Sequence, residues 1–246
     1  MDPYISDFNM INRADPFLTD DERFDLELLR RATRYQRWVL SDFGDLLSGS
    51  VLEVGSGIGN FTRWIARSAE EVTAVEPDPF MCRRIEALGL PNVRVVQARL
   101  QDLKAPRSTF NAVVLINVLE HLPNDLAAMR MVAAMLREGG GACLLVPAHP
   151  FLYGSLDRRY GHVRRYTTRD VRALLIGSGL RPSRCRYLNP LGAVGWLIVN
   201  RVFGSAHLSR TAVALTESVG VPVGRFLERL GPPPFGQSVV AIGRRR

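Results

Sequence analysis

The chain has 246 residues, 46% hydrophobic and 23% charged, with a formal net charge of +8. That length buries a full core in one α/β domain, and the ordinary apolar content excludes a disordered chain. The positive excess comes almost wholly from arginines scattered from Arg13 to Arg246, with Lys104 the only lysine, which points to compositional bias over a basic face for nucleic acid or an anionic membrane.

Residues 1 to 19, punctuated by Pro3 and Pro16, are expected to form a flexible arm ahead of a single domain over 20–246. The first residues have neither a basic n-region nor an apolar h-region, so a cytoplasmic location is expected. From Asp20 to Leu46, Phe24, Leu28, Leu29, Tyr35, Trp38, Val39 and Leu46 recur at near-helical spacing. One or two helices are expected there, covering a sheet edge or forming a lid that carries Tyr35 and Trp38.

The stretch Val51-Leu52-Glu53-Val54-Gly55-Ser56-Gly57-Ile58-Gly59-Asn60-Phe61 reads as an apolar strand, a glycine turn and a helix running to about Ser68. Glycines at alternate positions let the backbone turn tightly and let a ligand approach the peptide planes. The helix start presents free N–H groups to the same space. Glu53 is a carboxylate at the end of a buried strand, costly unless something pairs with it. It would repel a pyrophosphate, and the Gly-x-Gly-x-Gly spacing departs from the dinucleotide fingerprint; a ligand carrying an ammonium and a sulfonium suits it better.

Val72 to Glu76 is the second strand. It ends in Glu76, followed by Pro77, where a sheet-end carboxylate accepts the hydroxyls of a ribose. Val93 to Val96 is the third strand. Ala112 to Ile116 is a continuous apolar run, as expected of a central parallel strand, and leads into Asn117-Val118-Leu119-Glu120-His121-Leu122. A helix is predicted from Asp125 to Arg137, ended by Glu138-Gly139-Gly140-Gly141, with Ala142 to Pro147 as the fifth strand.

After Pro147 the chain becomes polar and aromatic, from His149 through Asp157 and His162 to Tyr166, where parallel strands deliver their catalytic loops. Thr167 or Thr168 caps the next helix, which Gly179 closes. Arg181 to Leu188 is the sixth strand, and Ser238 to Ile242 the last, antiparallel one. Residues 189–237 read as a helical insertion that walls an acceptor pocket or makes a dimer contact, with shallow membrane attachment as the alternative. Its apolar run at Leu191 to Val199 is too short to span a bilayer. Cys82, Cys143 and Cys185 are isolated and read as buried small hydrophobes. The histidines lie far apart in sequence, so no metal site is expected.

By motif order and spacing, residues 30 to 188 resemble the class I S-adenosylmethionine-dependent methyltransferases of bacterial small-molecule type. The resemblance implies a doubly wound, Rossmann-like α/β sheet of seven strands in the order 3-2-1-4-5-7-6. S-adenosyl-L-methionine is the implied cofactor, its methionine part over the glycine turn and its amino group held by Glu53, directly or through water. With the lid reading, the cofactor-binding set is Tyr35, Glu53, Gly55, Ser56, Gly57, Gly59, Asn60, Phe61, Glu76, Pro77, Leu100, Asn117 and His121. Arg99 stands where the family usually has an acid for the adenine amino group; the Leu100 N–H or Asp102 would take that part.

The implied reaction is an in-line displacement, without metal, onto an oxygen, nitrogen or carbon of a small molecule. A hydroxyl acceptor needs a base, for which His149, His162 or Asp157 could serve. The Asn-Pro-Pro-Tyr type of motif used on flipped bases is absent, so nucleic acid is not expected as substrate. Glu53 and the Gly-x-Gly-x-Gly spacing argue against a dehydrogenase of the same fold; two alternatives stay open, a non-catalytic cofactor-binding partner and a methyltransferase acting on a lipid-linked or glycan acceptor at a membrane surface.

Overall fold

A computed structural model describes residues 20–104, 107–198 and 210–246. The arm expected over residues 1–19 and the insertion's residues 199–209 lie outside them. Seven strands form one sheet in the order β3-β2-β1-β4-β5-β7-β6. The strands are β1 (Ser50–Val54), β2 (Glu71–Glu76), β3 (Val93–Gln97), β4 (Phe110–Ile116), β5 (Leu136–Pro147), β6 (Arg181–Leu188) and β7 (Ser238–Arg244). The pairs from β3 to β5 are parallel, and β7 runs antiparallel between β5 and β6. The expected strand order and orientation are thus realised.

Two apolar layers sandwich the sheet. One packs β4 and β5 side chains such as Leu115 and Leu144 against Met129 and Leu175 of α5 (Asp125–Met135) and α7 (Thr168–Gly177). The other sets Val114, Cys143 and Val240 against Trp38 and Val39 of α2 (Thr33–Ser41). Local signals place the helices: Asp78 accepts the Phe80 N–H at 2.7 Å at the head of α4 (Pro79–Glu86). Thr167 and Asp170 exchange a capping box at the head of α7.

The structure departs from expectation in three places. α5 ends at Met135, and the glycine run belongs to the bulged start of β5, where a Cβ on Gly140 would sit 2.9 Å from the Arg137 carbonyl and 3.0 Å from that of Phe110. The helix after Gly59 is a single turn, α3 (Thr62–Ile65), after which the chain loosens into turns, and Thr62 at its head donates its hydroxyl to Glu53. Trp38 belongs to the core, 2% exposed, with its indole N–H on Glu228 at 3.0 Å.

The lid position is held by α1 (Asp20–Leu29). The insertion contributes α8 (Pro190–Ile198), then α9 (Arg210–Leu215) joined through a π-turn to α10 (Val221–Arg229). Among the described residues no helix is long and apolar enough to cross a membrane.

Candidate active site

The glycine turn leaves the carboxyl end of β1 beside the ends of β2 and β4. Gly55, Gly57 and Gly59 all have positive φ, at 70°, 56° and 84°. A Cβ on Gly55 would stand 2.6 Å from Val118 Cγ2, so this turn and the segment after β4 meet without room for a side chain.

Two acids flank the turn. Glu53 is 4% exposed and accepts the Thr62 hydroxyl at 2.5 Å. Burial pushes its carboxyl up to about 7, partly opposed by the Thr62 and Ser56 hydroxyls and reinforced by nearby Glu76. Glu76 ends β2. Its two oxygens accept the Gly57 N–H at 2.9 Å and the Asp78 N–H at 3.1 Å, and burial holds its pKa above the usual range against those bonds. A pair of buried, mutually repelling carboxylates beside a cradle of backbone N–H groups fits a ligand that brings a cation at one end and hydroxyls at the other.

Helix α1 covers this cradle. Asn60 donates its side-chain amide to the Leu26 carbonyl at 2.9 Å, and Leu26 Cδ1 lies 3.8 Å from where a Gly57 Cβ would stand. Buried Asp25 accepts the Tyr160 hydroxyl at 2.5 Å, tying α1 to the loop after β5. Tyr35 and Phe61 lean on the apolar layer around Trp38, where burial raises the pKa of the Tyr35 hydroxyl. Leu100 is buried in the other layer, at the head of a short turn through the exposed Asp102. Pro77 is exposed.

A second group of polar side chains gathers after β4. Asn117 ends the strand with φ +53°, its N–H on the Leu145 carbonyl, and a tight turn over Leu119–His121 follows. The chain returns along this turn through Val163, whose N–H donates to the Glu120 carbonyl at 2.8 Å. That return sets His162 edge to face against His121, with ring centroids 4.8 Å apart. His162 Nδ1 lies 2.8 Å from Asp157 Oδ1 and its Nε2 3.9 Å from Glu120 Oε1.

Asp157, on α6 (Ser155–Arg159), is fully buried; it takes the Arg165 Nε–H at 2.8 Å and the Gly154 N–H at 2.9 Å. Desolvation would raise its pKa, but the hydrogen bonds from His162 and Arg165 and the Arg165 charge outweigh it, so the group is held ionised. An ionised carboxylate on Nδ1 fixes the tautomer that leaves Nε2 with its lone pair toward Glu120. The Arg165 guanidinium in turn lies 4.8 Å from the Trp196 ring of α8.

Of the three expected catalytic side chains, the fold therefore joins Asp157 and His162. His149, at φ +60°, instead stacks on Tyr187 with centroids 4.5 Å apart and meets Phe151 at 5.1 Å. Its Nε2 lies 3.5 Å from the Gly236 N–H. The absence of a metal site was expected because the histidines are remote in sequence. The fold removes that ground, bringing ligand atoms of Glu120, His121 and His162 within 4.8 Å of one another.

Sequence reasoning passed over Glu120, Arg165 and Asp25. A glutamate four residues past the end of a buried central strand was the available signal for Glu120. The pairings of Arg165 and Asp25 depend on the path of the loop and had none.

A family model described as a methyltransferase domain matches residues 28–182. A ubiquinone biosynthesis O-methyltransferase of Xanthomonas oryzae pv. oryzae is 35% identical over 100 residues, covering 39% of this chain and 42% of that protein. A chloroplastic 2-methyl-6-phytyl-1,4-hydroquinone methyltransferase of Oryza sativa subsp. japonica is 30% identical over 103 residues, or 41% and 31%. The chain thus spans less than half the length of these curated relatives. Among solved structures, a geranyl diphosphate methyltransferase in complex with S-adenosylmethionine superposes with TM-score 0.62 at 14% identity, covering 87% of this chain and 85% of that one. A methyltransferase of Aquifex aeolicus gives 0.57 at 19% identity, covering 71% and 93%.

Proposed function

The chain belongs to the class I S-adenosylmethionine-dependent methyltransferases, and from that premise we propose that it methylates an oxygen, nitrogen or carbon of a small molecule by in-line displacement. The observation that carries this reading is the arrangement of two polar groups at neighbouring strand ends. The Glu53–Glu76 pair flanks the glycine turn, and the Asp157–His162 pair stands against the turn after β4, which Val118 brings up to Gly55.

The cofactor supplies an electrophilic methyl group on a sulfonium leaving group, so the protein's share is alignment, exclusion of water and control of the acceptor's proton. Glu53 receives the ammonium end and Glu76 the ribose hydroxyls. Leu26 and Asn60 close the turn from above, and the clasp between Asp25 and Tyr160 holds α1 there. The Asp157–His162 pair stands on the acceptor side, where it controls loss of the acceptor's proton as the new bond forms. Trp196, stacked on Arg165, walls the acceptor side. We read residues 20–246 as one domain acting on a small molecule.

Exposed Leu215, Phe226 and Leu230 on and beside α9 and α10 favour a second reading of the acceptor, as a lipid-linked molecule met at a membrane surface. The names of the two curated relatives, which concern ubiquinone and a phytyl hydroquinone, are compatible with it.

Calorimetric titration with S-adenosylhomocysteine and with NAD tests the cofactor, and only the former should bind. Transfer of labelled methyl groups to water-soluble and lipid fractions of cell extracts then separates the two acceptor readings. Labelling of neither fraction, with cofactor binding intact, would favour a non-catalytic partner.

A further inference from the structure

We propose that Glu120, His121 and His162 form a binding site for one first-row divalent cation of the Zn²⁺ class. Two imidazoles and a carboxylate are the donor set that such ions take, with positions left open for water or substrate. Their ligand atoms lie within 4.8 Å of one another, and His162 Nε2 is 3.9 Å from Glu120 Oε1. Donors on a tetrahedral ion with bonds of about 2.1 Å stand about 3.4 Å apart, so the His162–Glu120 pair needs to close by about 0.5 Å and the widest pair by up to about 1.4 Å.

Two independent observations point to a ligand. The Glu120 carboxylate has 0% exposure, yet neither of its oxygens has a hydrogen-bond partner among the described residues. Buried polar atoms are nearly always satisfied, and an orphaned carboxylate aimed at an imidazole nitrogen calls for a cation. In addition, Asp157 already holds the opposite nitrogen of His162, at 2.8 Å, and is itself anchored by Arg165 and the Gly154 N–H. A carboxylate on the far nitrogen is how proteins orient a metal-ligating histidine. His121 is exposed and so gives the ion a path in from solvent.

The role of the ion rests on the methyl-transfer reading. Beside the glycine turn it would coordinate an acceptor hydroxyl and lower its pKa. The hydroxyl proton then passes to water, and the oxygen lone pair forms the bond to the methyl carbon as the carbon–sulfur bond breaks, its electron pair going to sulfur. His162 would then act as a ligand in place of a base.

The test is made on chelator-treated full-length chain, with Zn²⁺ added in a calorimeter and Co²⁺ followed by its visible absorption. One ion per chain is expected, with Kd of ~1 µM or tighter. His162→Ala, His121→Ala and Glu120→Gln should each weaken it at least about tenfold, and Asp157→Asn about 10- to 100-fold. His149→Ala should leave it unchanged. Affinity no better than ~1 mM, or affinity indifferent to all three ligand substitutions, overturns the site. S-adenosylhomocysteine binding is measured on the same samples. Its retention in the variants shows that they fold, whereas its absence from the unaltered chain counts against the methyl-transfer reading alone.

Discussion

The Glu76 carboxylate accepts the Gly57 N–H at 2.9 Å, so the end of β2 holds the glycine turn that leaves β1. One side chain therefore shapes the cradle and, on the proposed reading, also accepts the ribose hydroxyls. Hydrogen bonds to a charged acceptor contribute about 1.5–3 kcal/mol each. Glu76→Ala should weaken S-adenosylhomocysteine binding by at least about tenfold and also lower Tm of the ligand-free protein by several degrees. An affinity loss below about threefold would reduce Glu76 to its structural bond alone.

Glu53 makes both stability and cofactor affinity depend on pH. Its carboxyl is pushed up to about 7 in the folded protein against 4.5 for the unfolded chain, so between those values the folded state keeps a proton that the unfolded state has lost. The stabilisation is complete below about pH 4.5, falls as pH rises, and is gone above about 7; the full span is about 3 kcal/mol. Comparing Tm against pH for the unaltered chain and Glu53→Gln isolates this group, and the variant should have the shallower slope. A cationic ligand prefers the carboxylate, so cofactor binding near pH 6 should release a proton. Calorimetry in buffers of different ionisation enthalpy reads that release, and a zero result removes Glu53 from the ammonium site.

Much of this was legible in the chain. The runs at Val51–Val54 and Ala112–Ile116 mark two neighbouring central strands, and the glycine spacing with Glu53 and Glu76 marks the turn between them where the proposed ligand would bind, because those signals are local. The length of α5 was misjudged because Gly139 to Gly141 serve a β-bulge as readily as a helix end. Trp38 gave a helical period without saying which face is core. The cluster of Glu120, His121, Asp157, His162 and Arg165 could not be read, since it forms only when the loop after β5 folds back to the turn after β4. Tyr166 secures that return through its hydroxyl, donated to the Leu119 carbonyl or Asp125.

The clasp between Asp25 and Tyr160 should govern exchange of the cofactor. On the proposed reading a ligand over Gly57 would lie under Leu26, so α1 would have to move before it leaves, and the 2.5 Å hydrogen bond from Tyr160 would resist that movement. Tyr160→Phe removes a bond to a carboxylate while keeping the ring. The dissociation rate of S-adenosylhomocysteine, followed by stopped-flow tryptophan fluorescence, should rise by about tenfold or more. An unchanged rate would mean that the ligand leaves by another route.

The last prediction separates the two histidines of the loop after β5. His162 has its Nδ1 on an ionised Asp157 and its Nε2 directed toward Glu120 and His121, beside the segment that touches Gly55. His149 is stacked on Tyr187 toward the β6 side, with burial and the Arg165 charge holding its pKa down. An interaction needed only during transfer lowers kcat without weakening ground-state binding. With an identified acceptor, His162→Ala should therefore cut kcat by about 10²-fold or more and leave the Kd for S-adenosylhomocysteine within about twofold. His149→Ala should act chiefly on the KM for the acceptor, through the packing of Phe151 and Tyr187. Equal kcat losses in both variants would place His149 at the reacting atoms as well. Unchanged kcat in His162→Ala would leave alignment alone to carry the reaction, with Asp157 and His162 serving only to fold the loop.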